Sequence, residues 1–200
     1  MPTQLKHIPK LRFKHPRSNL PRHTSQVQKE NKFAIEFARQ YLEQNRIIHG
    51  GTSKTSIELA REIGVNGLGI ADIVAVAWIP RRGRRPSKPR TVRHFLRECS
   101  PSVRAFEIKI TDWRKGLMQA HRYRYFAHVA IVVVPPSAAS IARKYLDTFK
   151  RLKVGLWSFD MDSKKINTFY SPRRKDPMTF EYKCKAVELV GRASRSPHFS

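Results

Sequence analysis

Two hydrophobic runs broken by charge constrain this chain most: Gly69-Ile70-Ala71-Asp72 leading into Ile73-Val74-Ala75-Val76-Ala77-Trp78, and Phe106-Glu107-Ile108-Lys109-Ile110. Both are rich in strand-forming residues. Alternate side chains of a strand share a face, so Glu107 and Lys109 point one way while Phe106, Ile108 and Ile110 point the other. A carboxylate and an ammonium buried in a sheet cost free energy unless they are paired or bind something. A divalent cation held by Asp72 and Glu107, with Lys109 beside it, would offset that cost and suit chemistry at a phosphodiester. The bland reading is a solvated Glu107–Lys109 pair on an edge strand, worth little.

Charge decides the class of partner. The 200 residues carry 40 Lys and Arg against 15 Asp and Glu, a formal net charge of +25. Such an imbalance acts on partner choice rather than on fold, and nucleic acid is its natural counterpart. A membrane is not expected, because the longest apolar runs, Ile73 to Ile79 and Val129 to Val134, are only long enough for a strand. Cys99 and Cys184 form no zinc-spaced cluster, which suits a reducing, cytoplasmic setting, beside the nucleoid in a prokaryote. The basic N-terminus lacks a secretory apolar core, and organelle targeting stays open as the lesser reading.

Residues 1–25 hold six Lys/Arg, three His, four Pro and no acid, the composition of a flexible basic arm. Ser25 stands three residues before Gln28 in a capping-box arrangement. A helix follows from about Val27 to Asn45, with Phe33, Phe37 and Tyr41 on one stripe and Lys32, Glu36, Arg39 and Glu43 on another. Ile57–Val65 and Ile70–Trp78 read as strands joined across Asn66-Gly67, and Pro80–Arg90 as a basic, turn-rich insertion. Next come a strand over Arg104–Ile110, a helix over Trp113–Ala127, a strand over Val129–Val134, and one helix from Ser137 to about Lys153. Strands near Val154–Asp160 and Ile166–Tyr170 and a helix over Thr179–Val190 complete a single domain at 26–190, with a tail at 191–200. This order predicts an α/β fold, a mixed central sheet flanked by helices.

The order of elements, Asp72 heading the second strand, Glu107-x-Lys109 on the third and Gln119-x-x-x-Tyr123 on the next helix together resemble the PD-(D/E)xK nuclease superfamily. The likeness covers about residues 27 to 170, and Ala71 stands where that family places a proline. It implies a restriction-endonuclease-like α-β-β-β-α-β core and a magnesium-dependent nuclease acting on DNA, in repair, recombination or defence. Asp72 and Glu107 would ligate Mg²⁺ or Mn²⁺, the backbone carbonyl of Ile108 would be an extra ligand, and Lys109 would orient water or steady the transition state. Gln119 and Tyr123, four apart on one helix face, would border the site and touch nucleic acid, although Tyr123 also suits a core, as do Tyr125 and Phe126. Some members add a carboxylate from the first helix; Glu36 and Glu43 are the candidates, Glu36 foremost, with Glu58 on the first strand as another. Symmetric cutting often takes a homodimer in this family, and no residue here fixes the oligomeric state.

Other residues have plainer readings. Asp112 caps the helix that follows it. Gly50-Gly51-Thr52-Ser53-Lys54 lacks the glycine before lysine that a phosphate loop needs. His121 and His128 read as surface or helix-end residues. Nucleic-acid contacts are expected from Arg81, Arg82, Arg84, Arg85, Lys88 and Arg90, from Arg114 and Lys115, and from Arg173 and Arg174. The competing class is a non-catalytic basic nucleic-acid-binding protein on an inactive nuclease-like fold.

Overall fold

A computed structural model describes residues 25–48, 56–65, 67–78 and 92–194. The basic arm, the insertion with Arg81, Arg82, Arg84, Arg85, Lys88 and Arg90, and residues 195–200 of the tail lie outside the described residues. Six strands form one sheet in chain order. They are β1 (Ser56–Val65), β2 (Gly69–Trp78), β3 (Ser102–Ile108), β4 (Val129–Val134), β5 (Gly155–Phe159) and β6 (Ile166–Tyr170). The pairs β1–β2, β2–β3 and β5–β6 are antiparallel, while β3–β4 and β4–β5 are parallel. The sheet is therefore mixed and flanked by helices, as the order of elements predicts. Strand β4, Val-Ala-Ile-Val-Val-Val, is buried along its whole length, as a central parallel strand must be.

Helix α1 (Ser25–Ile48) covers one face. Its stripe of Phe33, Phe37 and Tyr41, with Ala34 and Ala38 between, is buried against Ile73, Phe106 and Phe159. Rings meet edge-on there: Phe37 and Phe106 at 5.3 Å between centroids, Tyr41 and Phe106 at 4.9 Å. Such pairs add about 0.5–1.5 kcal/mol each beyond area burial. The other face packs Val74, Val76, Ala105 and Val132 against α3 (Trp113–Tyr123) and α6 (Phe180–Ser194).

Several expected boundaries move. Helix α2 (Val92–Cys99), absent from the sequence reading, buries Phe95 and Leu96 against the same core and sets Phe95 edge-on to Trp78. The single helix expected from Ser137 to Lys153 is α4 (Pro136–Ala142), a 3-10 turn (Arg143–Tyr145) and α5 (Leu146–Leu152). Tyr145 breaks the run at φ −110°, ψ 24°, and its ring lies 5.1 Å from that of Trp113. The third strand stops at Ile108, and the following helix at Tyr123, sooner than expected. Asp112 caps α3 as expected, its Oδ1 accepting the Lys115 N–H at 3.0 Å. The tail begins later than residue 191, since α6 runs to Ser194.

Candidate active site at the splayed end of strands β2 and β3

The β2–β3 ladder runs from Ala77–Ser102 to Ile73–Phe106 and goes no further, although β3 continues to Ile108. From Ala71 to Gly69, β2 pairs with β1 alone. The strands thus part where Asp72 and Glu107 stand. Asp72 fills the gap with its side chain: Oδ2 accepts the Ile108 N–H at 2.7 Å. Lys109 N bonds Val133 O on the β4 side, so the N–H and C=O of Ile108 both face the opening toward β2.

Glu107 and Lys109 share the α3 face of a central strand, which removes the solvated edge-strand reading. Glu107 is 1% exposed. Its Oε1 accepts from Lys109 Nζ at 2.6 Å and its Oε2 lies 2.5 Å from the Tyr123 hydroxyl, which also reaches Ile70 O at 2.8 Å. A phenol carries one proton and cannot donate to both acceptors at once, so Glu107 and Ile70 compete for it. Burial opposes ionisation of both carboxyls, while the Lys109 ammonium favours it. Burial, then Glu107, then Glu30 push Asp72 up to about 7 against the pull of Lys109 and the Ile108 N–H. Burial likewise raises Glu107, opposed by Lys109 and Tyr123. For Lys109 burial pulls downward, but Glu107, Asp72 and Glu30 outweigh it and hold the ammonium above its usual range. Burial and Glu107 raise Tyr123 too.

Helix α3 fits over this group because of Gly116. A Cβ there would stand 2.8 Å from Lys109 Cγ, 3.3 Å from Val132 Cγ1 and 3.6 Å from Glu107 Cγ, so only glycine lets the helix lie on both stems. Gln119 is one turn on, half-buried, and its Oε1 is buried with no hydrogen-bond partner. Tyr123, fully buried, closes the row. Phe126 packs in the core as expected, whereas Tyr125 is 41% exposed.

The extra carboxylate comes from a residue the sequence reading passed over. Glu30, in the second turn of α1, accepts the Ile110 N–H at 3.3 Å and adds its charge to the field on Asp72 and Glu107. Glu36 is not brought to the site; it pairs with Arg39 at 2.6 Å and Lys164 at 3.1 Å, the latter foremost in holding it below the usual carboxylate range. Glu58 pairs with Val76 in the β1–β2 register, four residues along β2 from Asp72 and so roughly 13 Å away. Sequence could have found Glu30 by its place ahead of the buried Phe33 stripe, but Glu36 fits that helix pattern equally well.

The basic candidates separate. Arg114 is exposed and lies 4.4 Å over the Trp113 ring and 5.0 Å over that of Tyr145. Lys115 is exposed, on the outer side of α3. Arg174 reaches back to Ser100 O at 3.3 Å, and Arg173 lines a separate cleft. Among the described residues no helix is long and apolar enough to cross a membrane.

Compared with family models and with curated proteins, the chain matches none. The site must be read from its own chemistry.

That chemistry suits a divalent cation. A buried carboxylate, Glu107, and a half-buried one, Asp72, both harder to ionise than usual, converge with a backbone carbonyl edge on one opening, and Glu30 adds a third negative charge against one ammonium. Among the described residues no cluster of three or more His, Cys, Asp or Glu is arranged as a cage. Magnesium does not require one, since it is commonly held by one or two carboxylates, waters and substrate phosphates.

Proposed function

We propose that this chain is a metal-dependent nuclease that hydrolyses phosphodiester bonds of DNA, built on a restriction-endonuclease-like core of the PD-(D/E)xK kind. The order α1, β1, β2, α2, β3, α3, β4 supports the reading, with α2 inserted into the α-β-β-β-α-β order that the sequence motifs imply. One observation carries the reading: half-buried Asp72 and Lys109 gather around buried Glu107 where β2 and β3 part, in a chain otherwise dominated by cations. Asp72 and Glu107, with the Ile108 carbonyl, would hold Mg²⁺ or Mn²⁺. Bound there, the ion would supply Lewis-acid stabilisation of phosphate charge and a more acidic water.

The protein's own groups have definable work. Lys109 holds a positive charge against Glu107, and its compact ammonium suits a point contact with a phosphate oxygen. Tyr123 fixes Glu107 from the opposite oxygen. Gln119 offers an unpaired amide oxygen one helical turn from Gly116. The net charge of +25 draws a polyanion to the surface whatever its sequence.

Purified protein should cut supercoiled DNA in Mg²⁺ or Mn²⁺ and not in chelator, and Asp72→Ala should lose cutting while keeping affinity. Metal-dependent cutting that survives in Asp72→Ala removes the site assignment. One observation favours a non-catalytic nucleic-acid-binding protein instead: Lys109 and Tyr123 already engage both Glu107 oxygens. Metal affinity separates the two, because that protein would bind DNA without holding Mg²⁺ at Asp72.

A further inference from the structure

A second constellation lies at the other end of the sheet. The stretch from Ser171 to Thr179 is stitched to the turn between α3 and β4: Lys175 N bonds His128 O at 3.4 Å, Met178 N bonds Arg124 O at 3.1 Å, and Thr179 N bonds Tyr125 O at 3.0 Å. Between this strap, that turn and the end of α5 lies a cleft of about 450 Å³. Five cationic residues line it, Arg124, Lys150, Lys153, Arg173 and Lys175, against one acid, Asp176. The cations stand close enough to oppose one another, since Lys175 and Arg124 pull the Lys153 ammonium below its usual range. Like charges gathered on one wall disfavour each other until an anion arrives.

His128 supplies the second, independent sign. Its side chain is fully buried, contrary to the surface position its sequence suggests. Nδ1 accepts the Val103 N–H at 2.9 Å, so in the neutral ring the proton sits on Nε2. Burial, with Lys183 and Arg174 adding repulsion, moves the imidazole down to about 4 and keeps it neutral. Nε2–H is thus a buried donor with no hydrogen-bond partner. Asp176 Oδ1 stands 3.7 Å away, beyond hydrogen-bond reach, on a side chain 95% exposed. An unpaired buried donor is costly, so a ligand oxygen placed there is favoured.

We propose that this cleft is a phosphate-binding site in which His128 Nε2–H donates to one phosphate oxygen while Arg124, Lys153 and Lys175 supply the counter-charge. It is separate from the carboxylate site: His128 bonds Val103 at the start of β3, four residues and roughly 13 Å along the strand from Glu107. It stands without the nuclease reading. The phosphate comes either from a nucleic-acid backbone or from a free phosphate, and the same oxygens serve in both.

The test uses the full chain in chelator, with nitrogen-15 NMR of the His128 ring and calorimetry, titrated in turn with inorganic phosphate and a short single-stranded oligonucleotide. Saturable movement of the Nε2 resonance by phosphate assigns a free-phosphate site; movement by the oligonucleotide alone assigns a backbone site. In either case the exposed double variant Lys153→Ala/Lys175→Ala should weaken binding about tenfold or more while melting like the wild type. Asp176→Asn, which removes the neighbouring carboxylate, should tighten it. If neither titrant moves the Nε2 resonance, or if the double variant responds like the wild type, the proposal is overturned. Asp72→Ala should respond like the wild type here, so failure of the nuclease reading leaves this result intact.

Discussion

Asp72 has two jobs that pull against each other. Its Oδ2 replaces a backbone acceptor for Ile108, yet burial, and after it the charges of Glu107 and Glu30, raise it from 3.8 to about 7. The fold therefore prefers the protonated acid. Its stabilising contribution is whole below about pH 4, and it is lost as pH rises through about 7. Asp72→Asn keeps an acceptor for Ile108 and should unfold about 1–3 kcal/mol harder than the wild type at pH 8, with the gap closing toward pH 4. Mg²⁺ should narrow that gap at pH 8 by stabilising the wild type alone. A gap that does not change with pH would remove this account. For Tyr123→Phe, urea unfolding should show a loss of about 1–3 kcal/mol, because Glu107 Oε2 and Ile70 O share the one hydroxyl. Asp72, Glu107 and Lys109 were legible because charge inside an apolar run is conspicuous. Glu30 was not, because one glutamate on a helix with a solvated stripe looks like any other.

At the level of the element, α3 depends on the absence of a side chain at Gly116. Alanine would raise helix propensity by about 1 kcal/mol, but its Cβ would meet Lys109 Cγ at 2.8 Å. Gly116→Ala should therefore destabilise the protein, by about 1–3 kcal/mol in chemical denaturation, and displace Lys109 from Glu107. A variant more stable than the wild type would show that the stems move aside freely. The sequence displays this glycine as a mild helix breaker; only the sheet beneath explains it. Helix α2 escaped notice for a related reason, since Phe95 and Leu96 sit among arginines after a basic insertion. The break between α4 and α5 is likewise tertiary: Tyr145 turns to meet Trp113, and nothing in Arg143-Lys144-Tyr145 forbids a helix. The strand pairs needed no such context, because Asn66-Gly67 between two apolar runs already specifies a hairpin.

For the whole molecule, the excess of cations bears on how the proposed nucleic-acid substrate would be met. The affinity for DNA should fall steeply with salt, with log Kd against log salt carrying a slope of about 4 or more, as expected when about five phosphates are neutralised. Asp72→Ala should leave that slope unchanged, because on the proposed reading the site adds chemistry and not reach. A shallow slope would place recognition in specific contacts instead. The mixed α/β architecture could be read from the order of strands and helices, while the parting of β2 from β3 could not, since a ladder's end is set by what fills the gap. That parting has a consequence in time. Beyond Phe106 the amide of Ile108 is held by a carboxylate that titrates, so its exchange with deuterium follows the state of Asp72. The chain thus carries its own reporter: slow exchange at Ile108 marks a closed edge, and quickened exchange marks loss of the Asp72 contact between β2 and β3.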